Sequence, residues 1–430
     1  MSRSDYVESV LLFAGDVKQT TSADEAMAGF LSGETLLLVD GSKAVLSVSL
    51  RGWKARGIEE LQTESVVRGP REGFTETLRT NTAMLRRKIK NPDLVFEPFQ
   101  IGVRTKTDVC VAYIKGLADP ALIAEVRRRL GRINTDAILE SGYIEQFIED
   151  APYCIFATVA NSEKPDKVAA KLLEGRAAIL VDGTPFVLTV PALFLESFQS
   201  AEDYYSRPFF ASIIRIIRFI AFFISVTAPA LYVALTTFHQ EMIPTPLLLT
   251  MAAAHEGVPF PSVLEAGLMI VAFEILKEAG VRLPRPIGQA VSIVGALVIG
   301  EAAVSAGLIG APMVIVVAVT AVASFVVPPQ TDSGAIMRFI LLILAGFMGG
   351  FGIAMGILAI FLRMASIRSF GTPYLSPIAP FNRSDMKDSV IRMPMWKMTE
   401  RPKDIVTEDR IRQAPDLKPG PARETAGNES

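Results

Sequence analysis

Three carboxylates, Glu265, Glu274 and Glu301, lie in or beside apolar stretches of a chain that otherwise keeps its charge out of them. An ionisable side chain in hydrocarbon is costly unless paired or wetted, so each is a candidate for ion-path or gating chemistry, with Gln289 as a neutral polar companion. Carboxylates contributed by several copies of one chain would form a ring that attracts cations. Glu265 and Glu274 stand nine positions apart, which at about 100° per residue sets them on opposite faces of a helix. Glu274, Lys277 and Glu278 share a face, and local ion pairing is the plainer reading of those three. For Glu301 the plainer reading is a place at the boundary between head groups and tails.

Catalysis finds no comparable equipment. The sequence has no GxSxG, no phosphate-binding loop and no cluster with metal-ligand spacing, and both histidines, His239 and His255, fall in the apolar half. Cys110 and Cys154 lack CxxC spacing and histidine neighbours, and read as small apolar residues in a reducing compartment. The net charge of −2, with no basic stripe interleaved with aromatics, argues against a nucleic-acid partner. The residues call for no cofactor and suggest a protein that is not an enzyme.

The elements that must position the carboxylates are four stretches of about 20 residues or more, the length a hydrocarbon core of about 30 Å demands of a helix. They are residues 219–238, 287–308, 308–327 and 339–362. The first carries Pro229, which leaves a helical carbonyl without its partner and requires packing to compensate. The second bears Gly288, Ser292, Ala296 and Gly300 at every fourth position, ending beside Glu301. The last carries Gly346-x-x-x-Gly350 and Gly352-x-x-x-Gly356. Such small-residue stripes let helix backbones approach, within a bundle or between subunits. Between the first and second stretches lies a broken element: Pro244 and Pro246 start an apolar run, His255-Glu-Gly-Val-Pro259-Phe-Pro261 interrupts it, and 263–275 resumes. It reads as a re-entrant or discontinuous helix, or as an interfacial amphipathic one. Arg207, Arg215 and Arg218 before the first stretch mark a cytoplasmic flank. Five crossings would put Arg363, Arg368 and Arg383 outside and four would put Arg282 and Arg285 there, so the expectation is four full crossings plus one partial element.

Ahead of these lies a soluble half with an internal echo. Gly33-Glu-Thr-Leu-Leu-Leu-Val-Asp-Gly41 with Ala44-Val-Leu-Ser-Val48 recurs as Gly175-Arg-Ala-Ala-Ile-Leu-Val-Asp-Gly183 with Phe186-Val-Leu-Thr-Val190, at a constant offset of 142 residues. Asp-Gly between two β-rich runs is a strong hairpin signal, and a helical stretch precedes each copy. The basic runs Arg86-Arg-Lys88 and Arg127-Arg-Arg129 read as solvated helix faces, or as contacts for acidic lipid or a partner. The lack of a secretory leader at Met1 to Val10 keeps this half in the cytoplasm. The expected fold is therefore an α+β cytoplasmic head of two similar α/β hairpin modules, 1–100 and 101–206, followed by an α-helical polytopic membrane domain, 207–368. A charged, Pro-containing tail, 369–430, is expected to be largely disordered.

Ordered motifs from about residue 30 to 396 resemble the A subunit of GerA-type spore germination receptors. In the head they are Val66-Val-Arg-Gly-Pro70, Arg86-Arg87 after Asn81, Pro165-Asp-Lys-Val168, the second hairpin with Pro191, and Asp203-Tyr-Tyr205. Beyond it come Arg215-x-x-Arg218-Phe219, Phe238-His-Gln240, Val258-Pro-Phe-Pro261, Glu278-Ala-Gly-x-Arg-Leu-Pro-x-Pro-x-Gly-Gln289, Gly300-x-Ala-Ala-Val304, Ala323-Ser-Phe325 and Ser369-Phe-Gly-x-Pro-Tyr374. The region before the first hairpin is shorter than the family's usual one, and His255-Glu-Gly has no counterpart in the pattern. The resemblance implies a multi-pass, non-enzymatic sensor in the spore inner membrane, head in the cytoplasm. It would work with a permease-like B subunit and a lipoprotein C subunit, and homo-oligomerise into a nutrient-gated cation conduit. The competing readings are a secondary transporter subunit, which should show an inverted repeat among its spans and shows none, and a membrane-anchored signalling scaffold.

Overall fold

The echo at 142 residues is reproduced strand for strand. The computed structural model describes residues 17–31, 34–48, 64, 68–282, 298, 300–406, 408–415 and 417–420. Its first copy is β1 (Val17–Thr20), α1 (Ala23–Leu31), β2 (Thr35–Leu38) and β3 (Val45–Val48), in sheet order β1-β3-β2. After α2 (Leu78–Lys88), β4 (Leu94–Ile101), β5 (Thr107–Ile114), α3 (Pro120–Gly131) and α4 (Ser141–Ile148) comes the second: β6 (Ala160–Ser162), α5 (Pro165–Leu172), β7 (Ala177–Val181) and β8 (Val187–Val190). Leu37 pairs with Leu46 and Ile179 with Leu188; Thr20 pairs with Val45 and Ser162 with Val187. Each residue of the second pairing is the first plus 142, so the unit repeated is β-α-β-β, larger than the hairpin alone. Gly41 and Gly183 take φ of +78° and +92° in the two turns, which is why the turn pairs Asp with Gly.

The copies differ in what covers them. β4 and β5 add to the second, giving an antiparallel sheet β4-β5-β7-β8-β6. Every residue of β7 and β8 is buried, as helices on both faces require. The period of two sorts the side chains: Ala178 and Leu180 pack with Leu85, Val168 and Leu172 of α2 and α5, while Ile179 and Val181 pack with Val126, Leu130 and Ile144 of α3 and α4. β4 runs across the expected boundary at residue 100, so this larger sheet draws its first strand from the expected first module. The basic run at 127–129 is taken up by acids of the head, Arg127 by Glu97 and Arg129 by Glu125 and Asp150.

One head carboxyl is displaced from its ordinary behaviour. Burial, then the charges of Glu149 and Glu140, push Glu145 of α4 up to about 7, against a partial opposing bond from Asn161. A raised acid favours the fold below the unfolded value of 4.5 and loses that contribution as pH rises through about 7. Glu145→Gln is therefore expected to raise the thermal midpoint at about pH 8, by the equivalent of roughly 1–2 kcal/mol, and to leave it unchanged at about pH 4. Melting the full chain in detergent at both values checks this.

The C-terminal segment departs from expectation: residues 369–406 are ordered against the head. β9 (Arg368–Ser369) pairs with β10 (Thr372–Pro373), Ala192 N–H donates to Ser369 Oγ at 2.9 Å, and Ile405 and Val406 are buried in the head core. Val406 occupies the space left where Gly175 has no side chain. Composition predicts whether a segment can build its own core. It does not register a few apolar anchors that use a core already made.

The head ends with α6 (Glu202–Tyr205), and the helical half contains α7 (Pro208–Thr237), α8 (Thr245–His255), α9 (Ser262–Arg282), α10 (Ala311–Ser324) and α11 (Thr331–Ser366). Among the described residues two helices, Pro208–Thr237 and Pro328–Ser366, are long and apolar enough to cross a membrane. The expected stretch 287–308 lies mostly outside the described residues. The stretch 308–327 narrows to the 14 residues of α10, bounded by Gly310 and the Val327-Pro328 exit.

The last stretch is a helical hairpin, where a single span was expected. Gly349 has φ +59° and ψ −140° inside α11. Beyond it Gly352 lies against the Leu344 carbonyl, and a Cβ on Gly356 would stand 2.5 Å from Leu341 Cδ2. In a straight helix those partners would be about 12 and 22 Å apart along the axis. Legs 331–348 and 350–366 each span about 26 Å, and both outer ends meet the head: Ser333 Oγ donates to Ile155 O at 2.6 Å, while Met364 and Ile367 pack with Phe156 and Tyr374.

Candidate functional site

Pro229 within α7 can give no hydrogen to the carbonyl four residues back, that of Ser225. The structure supplies the missing donor from α11: Arg338 Nε donates to Ser225 O at 2.7 Å. The Arg338 side chain is 2% exposed, and its charge is met by Glu274 of α9, with Nη1 to Oε1 at 3.1 Å. Lys277 holds the other Glu274 oxygen. Glu274, expected as an ion-path candidate, is thus the counter-ion of a buried arginine that repairs a proline break. The pairing foreseen with Lys277 is present; the arginine was not foreseen, because it sits where the apolar run was taken to begin.

Glu265 occupies the opposite end of the helical half. Its side chain is fully buried. Oε2 accepts from Gly310 N–H at 3.0 Å, at the residue that precedes α10, while Oε1 has no hydrogen-bond partner. His255 Nε2 stands 3.6 Å from that oxygen, and Tyr232 Oη of α7 is 3.5 Å from the same nitrogen. At the interruption expected over His255–Pro261, α8 ends at His255 and α9 begins at Ser262, with Pro259 and Pro261 between them. Pro244 and Pro246 stand at the start of α8.

The other expected residues scatter. Glu301 is exposed on a helical stretch at residues 300–305. Gln289, Gly288, Ser292 and Ala296 lie outside the described residues. Gly300 is buried, with room for only a close contact to Val314. The four glycines of the last stretch serve packing within the chain: Gly346 against Val263 of α9, Gly350 against His239, and Gly352 and Gly356 against the facing leg.

A second charged cluster joins head, helices and C-terminal segment. Asp203 of α6 takes Arg215 Nε at 2.9 Å, and Arg218 Nη1 reaches both its oxygens at 2.9 and 2.8 Å. Arg215, with no exposed surface, also reaches Asp388 Oδ1 at 2.8 Å. Tyr204 donates to Asp388 Oδ2 at 2.8 Å, and the guanidinium groups of Arg215 and Arg392 both lie over its ring, at 5.4 and 5.6 Å from the centroid. Burial pushes the Asp388 carboxyl up in spite of Arg215, and raises the Tyr204 hydroxyl well above its ordinary value. Arg215 and Arg218 were expected as flanking charges; nothing in the sequence signalled that Asp388 and Arg392 return to meet them.

Residues 2–404 match the family model described as Bacillus/Clostridium GerA spore germination protein. Spore germination protein KA of Bacillus subtilis is 52% identical over 410 residues, 95% of this chain and 75% of that one. An uncharacterized membrane protein of the same organism, YfkQ, is 48% identical over 91% of this chain and 77% of its own length. Spore germination protein GerLA of Bacillus cereus is 39% identical over 92% and 80%. The crystal structure of the N-terminal domain of the A subunit of the Bacillus megaterium spore germinant receptor GerK3 aligns with 45% identity, covering 44% of this chain and 67% of that one, at a TM-score of 0.34.

Proposed function

Since the chain belongs to the GerA family of spore germination proteins, we propose that it is the A subunit of a nutrient germinant receptor in the spore inner membrane. Its head and C-terminal segment face the cytoplasm, and it assembles with a permease-like B subunit, a lipoprotein C subunit and further copies of itself. The observation that carries this reading is the buried Arg215–Asp203–Asp388 cluster, which makes head, first long helix and C-terminal segment one mechanical body. A change received by any of the three moves the other two.

The two ends of the helical half support an even number of crossings, since α7 begins and α11 ends against the head. α7 leaves the head and ends beside Gly349 and Gly350. α9 starts level with Gly346 and passes Arg338 on its way back. α10 starts at Glu265 and ends before Gln330, which donates to Ser197 of the head. The α11 hairpin goes out and returns. With that arrangement Arg207, Arg215, Arg218, Arg282, Arg368 and Arg383 share one side, the distribution expected of a cytoplasmic flank.

Of the expected ion-path residues, Glu301 is the exposed one, and a ring of such carboxylates contributed by several copies would attract cations. Spores lacking this chain should lose their response to the receptor's nutrient, measured as release of cations and fall in optical density. A full response in the deletion strain would overturn the assignment. Receptor reconstituted in liposomes should lose most of its nutrient-triggered cation flux with Glu301→Gln, and unchanged flux would remove Glu301 from the path.

A further inference from the structure

We propose that Glu265 and His255 form an intramembrane proton-binding site, sharing one proton that ties the two halves of the broken α8–α9 element to the start of α10. The hydrogens decide what the pair can hold. His255 Nδ1 stands 2.9 Å from Met251 O. A carbonyl only accepts, so Nδ1 carries a hydrogen, and Nε2 bears either a lone pair or the second proton of an imidazolium. On the other side, Glu265 Oε2 is committed to Gly310 N–H, and Oε1 is buried and unpartnered.

With no added proton, a lone pair on Nε2 faces a carboxylate oxygen at 3.6 Å. Neither group has a hydrogen to offer, and a buried charge is left unpaired. One proton, held on Oε1 or on Nε2, changes both facts: it supplies the hydrogen of an Oε1–Nε2 bond and removes or balances the charge. A second proton would place a neutral acid against an imidazolium with the carboxyl hydrogen unused. The site is therefore complete with one.

No other group takes this role from the elements packed around it. α7 contributes Tyr232, whose hydroxyl reaches Nε2 at 3.5 Å. α10 carries no titratable side chain. Arg338 of α11 is engaged by Glu274, and His239 accepts from Gly350 N–H at 3.1 Å. Glu256 and Glu301 are exposed. Because Glu265 grips Gly310 while His255 ends α8, loss of the proton separates α8 from the α9–α10 contact and leaves the Gly310 bond in place. The inference stands on this geometry whether or not the chain conducts ions.

The test is infrared difference spectroscopy of the full chain in lipid nanodiscs, titrated with pH alone and, separately, with Na⁺ or K⁺ at fixed pH. One titration is expected, in which a carboxyl band and an imidazole band change together. Glu265→Gln should abolish it, and His255→Gln should shift its midpoint by about one pH unit or more. The double variant E265Q/H255Q, amide against amide, should melt at a temperature that no longer depends on that titration. The proposal is overturned if Glu265→Gln leaves the difference spectrum unchanged, or if His255→Gln leaves the midpoint where it was. It is equally overturned if Na⁺ or K⁺ at constant pH produces the same bands, which would assign a metal cation to the site. Should Glu265→Gln not fold, the midpoint in His255→Gln decides between the outcomes.

Discussion

Arg338→Met is expected to cost the helical half about 3–5 kcal/mol, because it strips one partner from each of two buried interactions. The Ser225 carbonyl, already without a helical donor because of Pro229, loses the donor that replaced it. Glu274 loses the guanidinium and keeps only Lys277. Removing a partner leaves the desolvation of the remaining group uncompensated, which is larger than the net worth of the bond itself. The cause can be separated from simple loss of volume, since methionine keeps most of the arginine stem. Pro229→Ala returns an N–H to the helix at the right place for Ser225 O, and Glu274→Gln removes the stranded charge. The triple variant R338M/P229A/E274Q should recover most of what R338M loses, measured as the thermal midpoint and as hydrogen exchange along α7. If R338M and R338M/P229A were equally unstable, the Ser225 carbonyl would not be what Arg338 serves.

That network shows what kind of information the sequence carried and what kind it did not. Pro229 announced an orphan carbonyl, and local rules could say only that something must fill it. The donor lay over a hundred residues further on, in Arg338, the charged residue directly before the apolar run 339–362. The β-α-β-β repeat was legible because strand register follows from a period of two and a turn residue, both local. The hairpin at Gly349 was not. Gly346, Gly350, Gly352 and Gly356 read as a packing stripe, and a reversal made by one glycine inside an apolar run carries none of the polar punctuation that marks turns in water. The same blindness affected residues 369–406, whose few apolar anchors need a surface built by residues two hundred positions earlier. Glu265 was visible as an acid in an apolar stretch. His255 was visible only as the start of the interruption before Pro261, and it is the fold that brings His255, Tyr232 and Gly310 to that acid.

Asp203→Ala is the companion prediction for the joint between head and helices. It removes the carboxylate that two arginines share, leaving Arg218 without a carboxylate and Arg215 with Asp388 alone. Breaking a buried pair in this way costs about 3–5 kcal/mol, and the loss should appear first at the start of α7 and in residues 385–392, as faster hydrogen exchange than in the sheet β4 to β8. Asp388→Asn should be milder. Burial already holds the Asp388 carboxyl above its ordinary value, so the fold favours its protonated form and loses that contribution as pH rises; an amide of the same shape avoids the cost while still accepting from Arg215. The two variants therefore separate two roles within one cluster. Asp203 holds the helix to the head, and Asp388 docks the C-terminal segment onto that pair. If Asp388→Asn freed residues 385–392 as fully as Asp203→Ala, the carboxylate charge of Asp388 would be essential to docking, and the division would fail. If instead Asp203→Ala left exchange at the start of α7 unchanged, the helix would be held to the head by the stacked Phe198 and Phe219 rings and their neighbours, and the charged cluster would bind the C-terminal segment alone.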